Sequence, residues 1–226
     1  MQIESDQAEV LSGVRLGETL GSPIAMAIWN RDWQNWTTAM SSEPPAADVN
    51  PKALRSMYLP RPGHADLVGA FKYDRRDTRD ILERASARET TARVACGAVA
   101  RTLLAEFGIE IGSHVLSVGG IEARLPDELP LHLNDSVDDD PLRCLDAEAS
   151  ERIRGAIDAA REAGDTLGGV FEVVVRGLPV GLGSHVAWDT RLDGRLAQAV
   201  MSIQAVKAVE IGEGVQGALR PGTKVH

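Results

Sequence analysis

One long helical pattern in the middle of the chain constrains its fold more than any other feature. From Ala87 to Phe107 the apolar residues recur at the spacing of one helix face, and Gly108 follows as a natural stop. The residues on that face are Val94, Ala95, Ala98, Val99, Leu103 and Phe107. The spacing predicts a helix over 87–107.

Two further helices are predicted closer to the C-terminus. The first covers Ala147–Ala163, with Asp146 as its N-cap and Gly164 closing it. The second covers Leu192–Val209. The inward face of the first is predicted to consist of Ile153, Ala156, Ile157 and Ala160.

Strand patterns lie between and before these helices. They cover residues 3–11, 23–29, 108–121 and 168–183. A proline-rich loop is predicted over 37–62 and an acidic surface turn over 134–141. The mixture of strands and helices predicts the α+β class, and 226 residues suit a single domain.

Charge and composition exclude several classes of function. The net charge is −9 and aromatic residues make up 4%, whereas nucleic-acid binding relies on basic charge and stacking aromatics. No apolar run approaches the ~18 residues of a membrane span, and the N-terminus lacks the pattern of a signal peptide. We therefore expect a soluble, cytoplasmic protein with neither a nucleic-acid nor a membrane partner.

Neither the cysteines nor the histidines indicate a metal site. Cys96 and Cys144 are too few and too far apart for a zinc site or a disulfide framework. Four histidines show no metal-ligand spacing with one another, namely His114, His132, His185 and His226. No metal is expected.

The segment ERASARET (83–90) has the composition of an anion site. Ser86 and Glu89 fit the S-x-x-E capping box at the start of the long helix, and a helix N-terminus attracts anions. Arg84 and Arg88 flank it with guanidinium groups suited to phosphate or carboxylate. The alternative is that Ser86 only caps the helix while both arginines pair with neighbouring glutamates.

A second candidate lies in YLPRPGHAD (58–66). Pro60 and Pro62 stiffen the backbone and Gly63 allows a turn. His64 follows, and histidine is the side chain best suited to proton transfer near neutral pH. Arg61 precedes it by three residues. His64 is either a hydrogen-bonded structural residue or a proton-transfer group beside an anionic small ligand.

Two weaker candidates remain. GDTLGG (164–169) lacks the residues of a phosphate-binding loop and of a dinucleotide fingerprint, so it is interpreted as a helix end leading into a strand. Gln204 is a polar residue inside an apolar helical stretch. A buried amide needs hydrogen-bond partners, which protein or ligand can supply.

Five segments together closely resemble the chorismate synthase family. They are LSGVRLGETLGSPIAMAIWN (11–30), RPGHADLVGAFKY (61–73), ERASARETTARVACGAVAR (83–101), AGDTLGGVFEVVVRGLPVGLGS (163–184) and WDTRLDGRLAQAVMSIQAVKAVEIGEG (188–214). The resemblance implies a β-α-β sandwich, in which a helical layer lies between antiparallel sheets. It also implies a lyase that eliminates phosphate from 5-enolpyruvylshikimate-3-phosphate to give chorismate, the last step of the shikimate pathway. That reaction depends on reduced FMN, with NADPH as a possible reductant, and the family assembles as a homotetramer.

The resemblance also implies roles for the residues that bind and protonate the substrate. His64 matches the RPGHAD histidine, which acts as a proton donor near the flavin. Arg61 and Arg88 match arginines that bind the anionic substrate.

Two groups of residues match the flavin contacts of the family. Arg84, Ala85 and Ser86 match one FMN-contacting tripeptide, and Gln204 with Ala205 matches a second contact. On this resemblance, the partner of the Gln204 amide is the flavin.

The resemblance covers residues 1–226 as the central part of the family sequence. An N-terminal segment with a second catalytic histidine and C-terminal segments with a catalytic aspartate have no counterpart among these residues. The expectation is one family domain truncated at both ends, so that the isolated product is inactive or poorly folded. The alternatives are a remnant that retains only flavin or anion binding, and a chain that assembles with a separately encoded remainder.

Overall fold

The computed structural model describes residues 6–85 and 87–225. Its helices are α1 (Asp66–Tyr73), α2 (Arg79–Ala85), α3 (Ala87–Glu106), α4 (Leu133–Val137), α5 (Ala147–Glu162), α6 (Leu192–Met201) and α7 (Gly214–Gly217). Its strands are β1 (Ala8–Ser12), β2 (Val14–Arg15), β3 (Glu18–Thr19), β4 (Ala25–Ile28), β5 (Glu110–Val118), β6 (Ile121–Glu122) and β7 (Gly169–Arg176). Short 3₁₀ turns occur at Trp33–Asn35, Trp188–Thr190 and Gly222–Lys224.

The chain divides into two compact units. The first consists of Met1–Val99 with Asp193–His226, and the second of Ala100–Leu192. In the first unit β1 pairs antiparallel with β4, β2 pairs antiparallel with β3, and α1 contacts α2. Residues 37–62 form turns, bends and irregular backbone without helix or strand, which confirms the predicted long loop.

The second unit is built on an antiparallel sheet in the order β6-β5-β7. Helix α4 covers β5 with the buried side chains of Leu133 and Val137. Helix α5 buries Ala149 and Ile153 beside Cys144, and this cluster forms the hydrophobic core of the unit. Partly buried residues packed around the cluster are Val118, Ile121, Ala123, Leu142 and Ile157.

The structure confirms the two helices with the strongest sequence signals. Helix α3 covers Ala87–Glu106 and ends one residue before the predicted Phe107. Its predicted N-cap, Ser86, lies outside the described residues. Helix α5 begins where predicted, because the Asp146 side chain accepts hydrogen bonds from the backbone N–H groups of Glu148 and Ala149. Its buried residue Ile153 lies on the predicted inward face.

The predicted end of the last helix is wrong. Helix α6 stops at Met201 and does not reach Val209. The Ser202 hydroxyl donates to the Ala199 carbonyl at 2.7 Å, which competes with the continuing helix. Ala205 then adopts a left-handed conformation with φ of 69°, which a right-handed helix does not contain.

Other predicted segments also differ from the structure. The acidic stretch 134–141 is not only a surface turn, because its first residues belong to α4 and bury Val137 against the sheet. The strand predicted over 168–183 ends at Arg176, where Gly177 takes a left-handed conformation with φ of 76°. The strand predicted over 108–121 is divided by a turn at Gly119 and Gly120 into β5 and β6.

Within residues 6–85 and 87–225, no helix is both long and apolar enough to cross a membrane.

Candidate active site

The RPGHAD segment (61–66) forms a closed loop at the start of α1. The Arg61 guanidinium donates from Nε to Asp66 Oδ2 and from Nη2 to Asp66 Oδ1, each at 2.9 Å. The Arg61 backbone N–H donates to the same Oδ2 at 2.9 Å. Gly63 takes φ of 71° inside the loop, a conformation that glycine adopts without steric cost.

His64 lies on the exposed side of this loop. Its Nδ1 is 2.9 Å from the Pro62 carbonyl oxygen. A carbonyl oxygen only accepts hydrogen bonds, so Nδ1 carries the proton in this arrangement. The nitrogen left to exchange a proton with a ligand is therefore Nε2.

Hydrogen bonds from the Arg61 side chain lower the pKa of Asp66 to about 2, more than its burial raises it. A second carboxyl of the same unit behaves in the same way, since the Arg79 side chain lowers the pKa of Asp77 to about 2. Both carboxylates are charged at neutral pH, and both arginine pairs are therefore intact there.

The free energy of unfolding is expected to decrease as the pH falls from about 4 to about 2. Asp66 and Asp77 bind protons less readily in the folded chain than in the unfolded chain, so their contribution is complete above pH 4 and is lost as they protonate. Urea unfolding measured at several pH values tests this. In Asp77→Asn the free energy of unfolding should fall less over this pH interval, because Asp77 no longer contributes. A free energy of unfolding that stays constant over the interval in the wild type would contradict the low pKa values of Asp66 and Asp77.

Close packing of α1 on α2 connects the His64 loop to the candidate flavin residues. A Cβ added to Gly69 in α1 would lie 2.5 Å from Cγ2 of Ile81 in α2. The absence of a side chain at Gly69 therefore permits this approach. Helix α2 ends at Ala85, with Arg84 exposed and Ala85 half-buried.

The junction between α2 and α3 includes the predicted capping box. Ser86 lies outside the described residues, and so does the side chain of Arg88, so their predicted roles stay predictions. Glu89 in the first turn of α3 accepts a hydrogen bond from Arg93 at 3.1 Å. That pair is the i, i+4 ion pair of the helix surface.

Two hydrogen bonds hold the Gln204 segment against the first turns of α3. Thr90 Oγ1 donates to Gln204 Oε1 at 3.3 Å, and Arg93 Nη1 donates to Ser202 Oγ at 2.7 Å. Ala205 follows with its left-handed backbone, a conformation that costs a non-glycine residue about 1–2 kcal/mol. Such strain concentrates at functional sites.

The first unit therefore contains every described residue that the sequence assigned to a site. The His64 loop leads into α1, α1 packs on α2, and α3 carries the hydrogen bonds to the Gln204 segment. The sequence did not identify Asp66 as the partner of Arg61, nor Thr90 as a partner of Gln204. A sequence signal for the Arg61–Asp66 pair was available, because these two residues flank a loop that contains proline and glycine.

His114, in the second unit, is buried on β5 at 1% exposure. Its Nε2 is 2.9 Å from Glu172 Oε2 on β7, and among the described residues its Nδ1 has no hydrogen-bond partner. His132 Nδ1 is 3.0 Å from Glu110 Oε2. Where the structure describes the chain, it holds no group of three or more His, Cys, Asp or Glu side chains placed to bind a metal ion.

Comparison with known proteins gives consistent results over the whole chain. The family model described as chorismate synthase matches residues 1–226. Chorismate synthase of Geobacter sulfurreducens is 56% identical over 226 residues, which are 100% of this chain and 56% of that protein. Chorismate synthase of Brevibacillus brevis is 55% identical over 226 residues, 100% of this chain and 58% of that protein.

A solved structure described as the crystal structure of chorismate synthase has the same fold. It aligns with a TM-score of 0.80 and 48% identity, over 98% of this chain and 60% of that chain. This confirms the predicted α+β fold. The chain spans 56–58% of the length of the two relatives named above. With a family model matched from residue 1 to residue 226, the chain belongs to the chorismate synthase family.

Proposed function

We propose that this chain carries the His64 part of the active site of a phosphate-eliminating carbon–oxygen lyase. The substrate is 5-enolpyruvylshikimate-3-phosphate, the product is chorismate, and the reaction depends on reduced FMN. The supporting observation is that one compact unit contains all the described residues that match the site of the family. The function is tested by the turnover assay described below.

The residues around the α2–α3 junction fit an anionic flavin. An exposed guanidinium at Arg84 and the amide of Gln204 supply donors that suit phosphate and ring oxygens. Arg84, Ala85, Ser86, Gln204 and Ala205 would hold the cofactor. Bound reduced FMN would supply electron density that lets phosphate leave without net oxidation of the substrate.

The role of His64 is proton transfer at Nε2. The Pro62 carbonyl holds the proton on Nδ1, so the neutral ring offers a lone pair at Nε2 and the protonated ring donates from that atom. Exposure of the ring allows a bound ligand to reach it. The elimination removes a ring hydrogen and phosphate from the substrate. His64 would donate a proton from Nε2 beside the flavin while these groups leave.

Arg61 and Arg88 are proposed to bind the anionic substrate. Two nitrogens of Arg61, Nε and Nη2, are used by Asp66, and in the described part of the chain no hydrogen bond uses Nη1. The pair with Asp66 restrains the guanidinium, which reduces the entropy lost when Nη1 binds a phosphate or carboxylate.

Arg88→Ala is expected to raise KM for the substrate by roughly 10- to 100-fold while kcat changes little, because a hydrogen bond to a charged group contributes about 1.5–3 kcal/mol. Steady-state kinetics measure both quantities. Arg75→Ala is the matched control, since Arg75 is an exposed arginine 3.9 Å from Asp80 in a surface pair. An unchanged KM in Arg88→Ala would count against the assignment.

The second candidate function is flavin or anion binding without turnover, either as a remnant or as a chain that needs a separately encoded remainder. It is favoured by apolar side chains of α3 that remain exposed, such as Val94 at 67% and Leu103 at 60%. Exposed apolar side chains along one helix indicate contact with further polypeptide.

A turnover assay and a flavin titration distinguish these functions. The purified chain is supplied with substrate and reduced FMN without oxygen, and phosphate release is measured. Turnover supports the lyase, whereas quenching of flavin fluorescence without turnover supports the binding function. Absence of both turnover and flavin binding contradicts both proposals for the chain alone.

Light scattering tests the homotetramer expected for the family. The turnover assay with NADPH in place of prior reduction of FMN tests the source of electrons.

A further inference from the structure

Asp66 is a buried carboxylate that the proposed reaction does not use. It is 1% exposed and is the first residue of α1. Its two oxygens accept three hydrogen bonds from Arg61, two from the side chain and one from the backbone, all at 2.9 Å. A carboxylate and a guanidinium in this forked arrangement fix each other in orientation as well as in distance.

These hydrogen bonds join the two ends of the loop that contains His64. Within the loop, the His64 backbone N–H donates to the Arg61 carbonyl at 3.3 Å. The His64 ring donates from Nδ1 to the Pro62 carbonyl at 2.9 Å. Both acceptors, the carbonyl oxygens of Arg61 and Pro62, therefore belong to the stretch of backbone that Asp66 holds in place through Arg61.

We propose that Asp66 is a positioning residue that keeps His64 in the Nδ1–H tautomer with Nε2 directed outward. It acts through Arg61, which it holds at the other end of the loop, and it does not itself contact the reacting atoms. The inference rests on the proposed role of His64 in proton transfer.

The physical reason is the difference between a free and a held imidazole. An unrestrained neutral histidine favours the Nε2–H tautomer, whereas an imidazolium that donates its proton from Nε2 becomes the Nδ1–H tautomer. A fixed carbonyl acceptor at Nδ1 reverses that preference. The low pKa of Asp66 keeps the carboxylate charged at neutral pH, so the loop stays closed in the range where the enzyme would work.

The test measures the tautomer of His64 directly, by ¹⁵N NMR of histidine-labelled chain. The signals of His64 are assigned by their loss in His64→Gln. In the wild-type chain we expect neutral His64 to be mainly Nδ1–H. In Asp66→Asn the Nδ1–H fraction is expected to fall below half, because an asparagine cannot accept all three hydrogen bonds from Arg61.

Asp77→Asn is the matched control. Asp77 forms a comparable ion pair with Arg79, at 2.8 Å between Oδ2 and Nη2, in a segment that contains no histidine. It should lose a similar ion pair and leave the His64 tautomer unchanged. An unchanged tautomer in Asp66→Asn, or an equal change in Asp77→Asn, would overturn the proposal.

A second variant applies if Asp66→Asn does not fold. Arg61→Lys keeps a cation beside the carboxylate and the backbone hydrogen bond, but loses the fork. A partial shift toward Nε2–H supports the proposal, and no shift contradicts it. Because the NMR signal does not depend on turnover, it decides the role of Asp66 even where the proposed reaction fails. Where the chain turns over, Asp66→Asn should lower kcat by roughly 10- to 100-fold. It should also raise KM, because the Arg61 guanidinium loses the partner that restrains it.

Discussion

Replacing His64 with alanine is expected to lower kcat by a factor of roughly 10² to 10⁴, with a much smaller change in KM. Alanine has no group that holds or transfers a proton, whereas the anion-binding arginines remain in place. The ring is exposed and its hydrogen bond is to the neighbouring Pro62 carbonyl, so its removal costs the fold little.

The measurement is phosphate release from 5-enolpyruvylshikimate-3-phosphate with reduced FMN. It is made on the chain, or on the chain assembled with the remaining part of the family sequence, whichever shows turnover. His185→Ala is the control, because His185 is also exposed and has no proposed role. Circular dichroism of both variants should match that of the wild type. Equal turnover of His64→Ala and wild type would remove His64 from the mechanism.

The largest expected effect on stability comes from Ile153→Ala, which should lower the free energy of unfolding by about 3 kcal/mol, within a usual range of 2–5. Ile153 is 0% exposed and packs with Cys144 and Ala149 in the core of the second unit. Alanine removes three carbon atoms from that core and leaves a cavity. The cluster of buried residues is small, so few neighbours are available to fill it.

Urea unfolding measures the total change, and hydrogen exchange of the amides in β5 and β7 shows whether the loss is in the second unit. Val180→Ala serves as the control, since Val180 is fully exposed in the same unit and should change stability by less than about 0.5 kcal/mol. A loss below about 1 kcal/mol in Ile153→Ala would mean that the cluster does not stabilise the unit.

The local structure predicted from sequence was most accurate where short-range signals agree. Helix α5 has an N-cap, an apolar face and a terminal glycine, and all three gave its bounds to within a residue. The end of α6 could not be predicted in this way, because no side-chain property of Ala205 indicates its left-handed backbone. Val137 likewise lies in an acidic stretch whose composition suggests solvent, and it becomes buried only because β5 lies beneath it.

In the candidate site, too, some features were predicted from local sequence and others appeared only in the folded structure. The proline and glycine of residues 61–66 predict a constrained loop, and the structure has a closed loop there. The proton-transfer role of His64 stays a prediction. The sequence treated Arg61 only as an anion ligand, whereas the structure pairs it with Asp66. The roles proposed for Ser86 and Arg88 rest on the resemblance to the family.

The sequence by itself determined the family, the α+β class and the segments that match the site of the family, because residue identities and local spacing contain that information. Tertiary structure alone decided that Thr90 meets Gln204, because these residues are 114 positions apart and such a contact depends on how the chain packs. The contact by which Asp66 closes the His64 loop spans five residues, and the flanking arginine and aspartate signal it without determining it. The nitrogen of His64 that is left for chemistry follows from the backbone of that loop, because the acceptor at Nδ1 is the Pro62 carbonyl.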